Sequence, residues 1–187
     1  MARTPSNMAS LGTFAPDFDL PDVISEKKLK LADFKEKPAL LVMFISRHCP
    51  FVVHVEKELA RIGKDYPQIG IVAICSNDIE NYPEDAPDQL REQANRLQFT
   101  FPYLYDASQE TAKNYKAACT PDFFLYDQSR RLIYRGQLDD SRPNSVIPVT
   151  GRDLRNAIEA VLSGHRPSTE QRPSLGCNIK WKPGNEP

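Results

Sequence analysis

The chain has 187 residues, of which 40% are hydrophobic and 26% charged, so its composition is that of a folded globular protein and not of a disordered one. The formal net charge of −1 gives no electrostatic indication of binding to nucleic acid or to anionic lipid. No segment approaches the roughly 20 apolar residues that span a bilayer, and the first residues lack the apolar region of a signal peptide, so we expect a cytoplasmic protein without membrane contact.

The first half of the chain predicts a hairpin followed by a β-α-β unit. Residues 14–34 read as two short strands joined by a polar turn, with a helical turn at 31–34. The apolar runs 38–46 and 69–76 are of strand length and are typical of strands that are buried on both faces. Between them, apolar residues recur at spacings of three and four, which predicts a helix; these residues are Val52, Val55, Leu59 and Ile62. The unit should be right-handed, with parallel strands.

The second half predicts three more helices, a short strand and a second hairpin. The helices are expected over 86–97, over 108–117 with Ser108 as the cap, and over 151–164; the strands are expected over 103–106, 122–127 and 131–136. The fold class is therefore α/β, with a mixed central sheet flanked by helices and an N-terminal β-hairpin extension. We expect one domain over 1–164 and a proline-rich extension over 165–187. Because this extension holds the only tryptophan and one of four cysteines, part of it should dock on the domain.

Cys49 lies where the first buried strand gives way to the helix, in "ISRHCPFVVHV". The start of a helix has unpaired backbone N–H groups and about half a positive charge, and both stabilise a thiolate. Pro50 fits the first turn of the helix, where its missing N–H costs nothing. A buried cysteine is otherwise most often a small apolar side chain. The junction position favours the other interpretation, a reactive thiolate nucleophile.

The segments "APDFDLPDV", "LADFKEKPALLVMFISRHCPF" and "ACTPDFFLYD", taken in order, resemble the alkyl hydroperoxide reductase / thiol-specific antioxidant family, AhpC/TSA. This family has the thioredoxin fold and includes peroxiredoxins and thiol–disulfide oxidoreductases. The resemblance covers roughly 12–164. It implies that Cys49 is the nucleophile and that Pro121 is a cis-proline facing it. It also implies that Thr120 and Pro121 position the substrate backbone.

The active-site pattern departs from both main branches of that family. Val52 stands where thioredoxins have their second cysteine, and Met43 stands where they have a buried acid. Asp78 is a weak candidate for a replacement base, since a turn or cap role is more common for such a residue. Peroxiredoxins have P-x-x-x-T-x-x-C; here Ser46 stands at the threonine position and Val42 at the proline position.

Ser46 and an arginine would act on a peroxide substrate. The Ser46 hydroxyl is expected to hydrogen-bond the thiolate or the peroxide. Arg135 and Arg142 are the candidates for the arginine that peroxiredoxins take from a later strand.

Three routes could resolve an oxidised Cys49. Cys119 lies two residues before Pro121, and Cys177 lies in the C-terminal extension, where some peroxiredoxins place a resolving cysteine, often on the partner subunit of a homodimer. We rank Cys119 slightly above Cys177. Cys75 ends a buried strand and is interpreted as core. An external thiol, from the thioredoxin or the glutathione system, is the third route.

The sequence therefore predicts a thiol-based oxidoreductase, either peroxiredoxin-like or of the thiol–disulfide exchange type, that acts on a peroxide or a disulfide without a metal or organic cofactor. The alternatives are a copper-binding thioredoxin-fold chaperone and a binding module without turnover. His48, Cys49, His54 and Cys119 are suitable metal ligands, although Val53 stands where the second cysteine of the chaperone motif would be.

Overall fold

A computed structural model of the chain describes residues 3–187. It contains ten strands, four α-helices and two short 3-10 turns, at Leu31–Phe34 and Pro83–Asp85. The strands are β1 (Arg3–Pro5), β2 (Asp19–Pro21), β3 (Lys28–Lys30), β4 (Ala39–Phe44), β5 (Gly70–Cys75), β6 (Tyr103–Tyr105), β7 (Cys119–Thr120), β8 (Asp122–Asp127), β9 (Leu132–Gly136) and β10 (Leu175–Asn178). The helices are α1 (Pro50–Asp65), α2 (Pro87–Leu97), α3 (Glu110–Tyr115) and α4 (Arg152–Leu162).

Five strands form the central sheet, in the order β6-β5-β4-β8-β9. Strands β4 and β5 are parallel and are joined by α1, as the β-α-β pattern predicts, and β6 continues the parallel half. Strands β8 and β9 are antiparallel and extend the other side of β4. The mixed sheet and the separate β2–β3 hairpin are both confirmed.

Helices and loops cover both faces of this sheet. Every residue of β4 and β5 is buried, which explains why their sequences are continuously apolar. One face packs on α1, α2 and α4, and the predicted apolar stripe of α1 is fully or almost fully buried there. The other face packs on α3, the hairpin and Trp181. The carboxyl end of β4 and the start of α1 thus lie at one edge of a rigid core.

The C-terminal extension docks through a second sheet that the sequence did not predict. Strand β10 lies between β1 and β7 and is antiparallel to both. Further contacts fix the residues on either side of β10: the Ser174 hydroxyl donates to the Pro121 carbonyl at 2.7 Å, and the Lys180 N–H donates to Asn77 Oδ1 at 2.8 Å. The extension is therefore part of the folded body.

The predicted third helix is too long at both ends. Helix α3 covers only Glu110–Tyr115, because Gln109 and Lys116 both adopt left-handed backbone conformations with φ of 65° and 56°. The Ser108 hydroxyl still accepts a hydrogen bond from the Glu110 N–H at 3.2 Å, although Gln109 is the residue that immediately precedes the helix. No helix within residues 3–187 is long and apolar enough to cross a membrane.

Candidate active site

Cys49 is the residue that immediately precedes α1, with an extended backbone (φ −71°, ψ 120°), and Pro50 is the first helical residue. The junction of strand and helix is therefore where the sequence predicts it. The cysteine side chain is 0% exposed. Its thiol donates to the backbone carbonyl of Thr120, with an Sγ–O distance of 3.1 Å. This contact joins the nucleophile to the loop that the resemblance pairs with it.

The Thr120–Pro121 peptide bond is cis, as the resemblance implied for Pro121. Thr120 ends β7, and its Oγ1 atom is buried with no hydrogen-bond partner in the described part of the chain. The Thr120 carbonyl, which precedes the cis bond to Pro121, therefore lies directly against the thiol of Cys49. Their role in positioning a substrate backbone remains a prediction.

Cys177 is the cysteine that contacts Cys49. It lies opposite Thr120 in the β10–β7 pair, and its thiol forms a hydrogen bond with Cys49. Burial and this contact raise the pKa of the Cys177 thiol, and the backbone N–H of Phe51 in the first turn of α1 acts in the opposite direction. Cys177 thus interacts with both the Cys49 thiol and the first turn of α1. The sequence assigns the amino end of α1 to Cys49 alone, whereas in the structure both cysteines lie near it.

Cys119, which the sequence ranks above Cys177, has different contacts. Its sulfur contacts the Pro121 carbonyl at 3.6 Å. Neighbouring residues of a strand point to opposite faces, so Cys119 and Thr120 face apart. Burial, followed by the negative charge of Asp122, raises the pKa of Cys119 strongly. The geometry therefore favours Cys177 as the partner of Cys49. Residues 3–187 include all four cysteines, and none of them forms a disulfide.

Asp85 organises the loop between β4 and α1, and the sequence analysis missed it. It is 0% exposed. Its carboxylate accepts hydrogen bonds from the Ser46 hydroxyl at 3.0 Å, the Arg47 N–H at 2.7 Å and Asn77 Nδ2 at 2.6 Å, and it lies 2.8 Å from His48 Nδ1. One buried carboxylate thus fixes all three residues that precede Cys49.

His48 and Asp85 shift each other's pKa in opposite directions. The hydrogen bond to Asp85 raises the pKa of His48, and partial burial of the ring opposes that effect. Burial acts to raise the pKa of Asp85, but the hydrogen bonds from His48 and Asn77 outweigh burial and the pKa is lowered. The imidazole also stacks on the ring of Tyr82, with ring centroids 5.6 Å apart. When the His48 imidazole is protonated, it forms a partly buried ion pair with the ionised Asp85.

Ser46 and the candidate arginines form hydrogen bonds with groups other than the Cys49 thiol. The Ser46 hydroxyl contacts Asp85 and His48, so the expected hydrogen bond to the thiolate is not the one that the structure shows. The Arg135 side chain donates to the Ala9 carbonyl and to Gln171. The Arg142 side chain donates to Gln137 and to two backbone carbonyls of its own loop.

The candidate metal ligands do not converge. His48 contacts Asp85, whereas His54 Nε2 lies 2.8 Å from the Ser141 hydroxyl. Within residues 3–187, no group of three or more histidine, cysteine or acidic side chains is arranged to hold a metal ion. Asp78, the weak candidate for a base, caps a turn through Glu80 N–H and Asn81. This is the more common role that its position indicated.

A comparison with protein-family models tests the resemblance that the sequence shows. The model of the AhpC/TSA family matches residues 11–135, which include β4, Cys49, α1 and the Thr120–Pro121 loop. The chain belongs to the AhpC/TSA family. No curated protein matches this AhpC/TSA chain.

Two solved structures match the AhpC/TSA chain over nearly its whole length. An uncharacterized conserved protein from Geobacillus kaustophilus is 51% identical, with a TM-score of 0.96 and 98% of each chain covered. A hypothetical protein from Sinorhizobium meliloti 1021 is 52% identical, with a TM-score of 0.95, and the match covers 97% of this chain and 100% of that one. The C-terminal extension is thus included in the matched length.

A more distant match identifies the fold. A secreted Mycobacterium tuberculosis disulfide oxidoreductase homologous to E. coli DsbE has a TM-score of 0.57 at 15% identity, over 73% of this chain and 90% of that one. At such low identity the likeness shows the fold alone, and this is the thioredoxin fold that the sequence predicts. The AhpC/TSA chain therefore has a thioredoxin-like fold.

Proposed function

We propose that this protein is a thiol–disulfide oxidoreductase that cycles between a Cys49/Cys177 dithiol and a Cys49–Cys177 disulfide. The observation that carries this proposal is the hydrogen bond between the Cys177 thiol and Cys49. Disulfide formation needs the two cysteines to lie close together, and strand pairing places Cys177 opposite Thr120, whose carbonyl accepts the Cys49 thiol, without a C-x-x-C motif. Cys177 supplies the second thiol of the pair, which the valine at position 52 cannot supply.

The proposed cycle has two exchange steps. The Cys49 thiolate attacks one sulfur of a substrate disulfide, forms a mixed disulfide and releases the other substrate sulfur as a thiolate, which takes up a proton. The Cys177 thiolate then attacks the Cys49 sulfur, forms the Cys49–Cys177 disulfide and releases the second substrate thiol. The substrate disulfide is reduced to two thiols while the protein dithiol is oxidised. Two external thiol groups, from the thioredoxin or the glutathione system, restore the dithiol and are themselves oxidised to a disulfide.

Exchange is favoured over peroxide reduction by what surrounds Cys49. The peroxidase hypothesis requires the Ser46 hydroxyl and one arginine, Arg135 or Arg142, near the sulfur, and all three side chains form hydrogen bonds with other groups. The groups that do contact Cys49 are a second thiol and the Thr120 carbonyl. Neither group can stabilise negative charge on the leaving oxygen of a peroxide as an arginine does.

Disulfide mapping tests this function on the wild-type protein. After reaction with one equivalent of dithiodipyridine, intact mass should show the loss of two hydrogens, and peptide mapping should place the new disulfide between Cys49 and Cys177. Cys75→Ser, which changes a buried core cysteine, is the matched control and should give the same disulfide.

A Cys49–Cys119 disulfide, or slow pyridyl adducts spread evenly over the four cysteines, would contradict the proposed pair. A parallel sample with one equivalent of hydrogen peroxide distinguishes the two reactions. Faster oxidation by peroxide than by the disulfide would replace exchange with peroxidase activity.

A further inference from the structure

Lys180 is a cation that the C-terminal extension holds close to Cys177. It follows the end of β10 by two residues. Its ammonium group donates to the Asn178 carbonyl at 3.1 Å and to Asn178 Oδ1 at 2.9 Å, and Asn178 is the residue next to Cys177. The Lys180 N–H donates to Asn77 Oδ1 at 2.8 Å. Both the backbone and the side chain of Lys180 are therefore fixed by hydrogen bonds.

The same ammonium group contacts a ring beside the loop that precedes Cys49. It lies 5.6 Å from the centroid of the Tyr82 ring, on which the His48 imidazole stacks. A cation over the face of an aromatic ring is attracted to it. The positive charge of Lys180 lowers the pKa of His48 as well as that of Cys177. Lys180 thus acts electrostatically both on the loop before Cys49 and on the thiol that contacts Cys49.

Cys177 requires a favourable charge because most of its surroundings oppose the thiolate. Burial, followed by the hydrogen bond to Cys49 and the negative charge of Cys49, raises the pKa of the Cys177 thiol to about 12. The charge of Lys180 and the Phe51 N–H act in the opposite direction. Only the thiolate of a cysteine attacks a disulfide. In the resting protein at neutral pH, Cys177 is therefore held as a thiol.

The first exchange step changes this balance at Cys177. In the mixed disulfide, the Cys49 sulfur carries neither a proton nor a charge, so it no longer opposes ionisation of Cys177. Burial remains as the effect that opposes the thiolate, and Lys180 and the Phe51 N–H remain as the effects that favour it. The second thiol thus becomes easier to ionise once the first has reacted, and the Lys180 charge contributes to that ionisation.

We propose that the Lys180 ammonium group stabilises the Cys177 thiolate in the second exchange step, so that the C-terminal extension supplies both the resolving thiol and the cation that activates it. This inference rests on the proposed function and deepens it. Cys177 loses its proton to water, and its thiolate attacks the Cys49 sulfur. The bond between that sulfur and the substrate sulfur breaks, and the substrate leaves as a thiolate that takes up a proton. The substrate sulfur is reduced while Cys49 and Cys177 are oxidised to their disulfide.

The other groups that face Cys177 do not supply this charge. Cys49 on α1 and Cys119 on β7 are thiols and carry no positive charge. Arg3 on β1 lies opposite Cys177 in the strand register, but it is exposed, and solvent screens an exposed charge. Lys180 is half-buried and is therefore screened less. Arg3→Gln tests the contribution of β1 directly.

Lys182 provides a matched control for Lys180. It lies on the same extension and is also half-buried, but its ammonium group donates to the Ala107 carbonyl at 2.8 Å. Lys182→Gln and Lys180→Gln change the net charge equally. Lys180→Gln also retains N–H groups that can donate to Asn178. Lys180→Arg keeps the positive charge and serves as the conservative variant.

The experiment follows one turnover with one equivalent of a cysteine-containing peptide that is blocked at both ends, carries no charge and is activated as its mixed disulfide with thionitrobenzoate. Release of the coloured thionitrobenzoate reports the first step. Intact mass after acid quenching reports the second step, the conversion of the Cys49 adduct into the Cys49–Cys177 disulfide. At pH 7 and low salt, Lys180→Gln should slow the second step about three-fold, the effect of about half a pKa unit, and leave the first step unchanged.

Lys180→Arg should restore the second step, and Lys182→Gln and Arg3→Gln should match the wild-type protein. In 1 M sodium chloride, the wild-type and Lys180→Gln rates should converge, because the Debye length falls to about 3 Å. Equal second-step rates at low salt, equal slowing of both steps, or the same loss in Lys182→Gln would overturn the proposal.

The salt dependence of the second step in the wild-type protein needs no variant, so it tests the proposal even if Lys180→Gln does not fold. A wild-type second step that salt does not slow relative to the first step would contradict the role of Lys180. Failure of the proposed function looks different, because no Cys49–Cys177 disulfide would then form in the wild-type protein at any salt concentration.

Discussion

Cys49→Ser is expected to abolish reduction of a disulfide substrate, whereas Cys177→Ser is expected to stop the cycle after its first step. Without the Cys49 thiolate there is no attack on the substrate. Without Cys177 the mixed disulfide still forms, but only an external thiol can resolve it. A thiol held against the reacting sulfur has a very high effective concentration, so we expect steady-state turnover to fall about 100-fold or more in Cys177→Ser.

Intact mass separates these outcomes. Cys177→Ser treated with an excess of a cysteine-containing peptide, activated as its mixed disulfide with thionitrobenzoate, should accumulate one peptide adduct, mapped to Cys49, whereas the wild-type protein should release the peptide again. Cys119→Ser is the matched control, since it removes another buried thiol beside the same loop, one that hydrogen-bonds the Pro121 carbonyl. It should turn over like the wild-type protein. If Cys119→Ser traps the adduct and Cys177→Ser does not, the resolving role belongs to Cys119.

The parts of this molecule that depend on local sequence could be predicted. The β-α-β unit follows from two apolar runs and one helical stripe, and Cys49 at the start of α1 follows from the change of period at Pro50. The cis bond before Pro121 came from the resemblance and not from any local pattern. The position of the nucleophile was therefore predictable.

The groups around Cys49 could not be predicted, because they come from distant segments. Asp85 lies among other acidic residues in a polar, proline-broken connection, so nothing in the sequence distinguishes it from Asp88, which is exposed. Strand β10 is only four residues long and contains a glycine, and its partner β7 has two residues. Such strands have no readable period. The ranking of Cys119 over Cys177 relied on distance along the chain from Pro121, whereas strand pairing decides which thiol reaches Cys49.

Asp85→Asn is expected to lower the free energy of unfolding by about 3 kcal/mol, because it removes the charged partner of a partly buried ion pair and weakens several hydrogen bonds. The same change made at the exposed Asp88 should stay within about 0.5 kcal/mol of the wild-type value. Urea unfolding of both variants at neutral pH provides the comparison. An Asp85→Asn protein as stable as the Asp88→Asn control would show that the loop before Cys49 does not depend on this carboxylate.

The pH dependence of that difference tests the ion pair itself. The raised pKa of His48 means that its share of the stability is present below the ordinary histidine pKa and is lost as the pH rises through the folded-state pKa. The lowered pKa of Asp85 means that its share is present above the ordinary aspartate pKa and is lost as the pH falls through the folded-state pKa. Wild-type stability should therefore exceed that of Asp85→Asn most between about pH 4 and pH 6.5, the ordinary pKa values of the two side chains. The gap should narrow on both sides of this range, and a gap that does not vary with pH would mean that the contacts of Asp85 stabilise the loop as neutral hydrogen bonds alone.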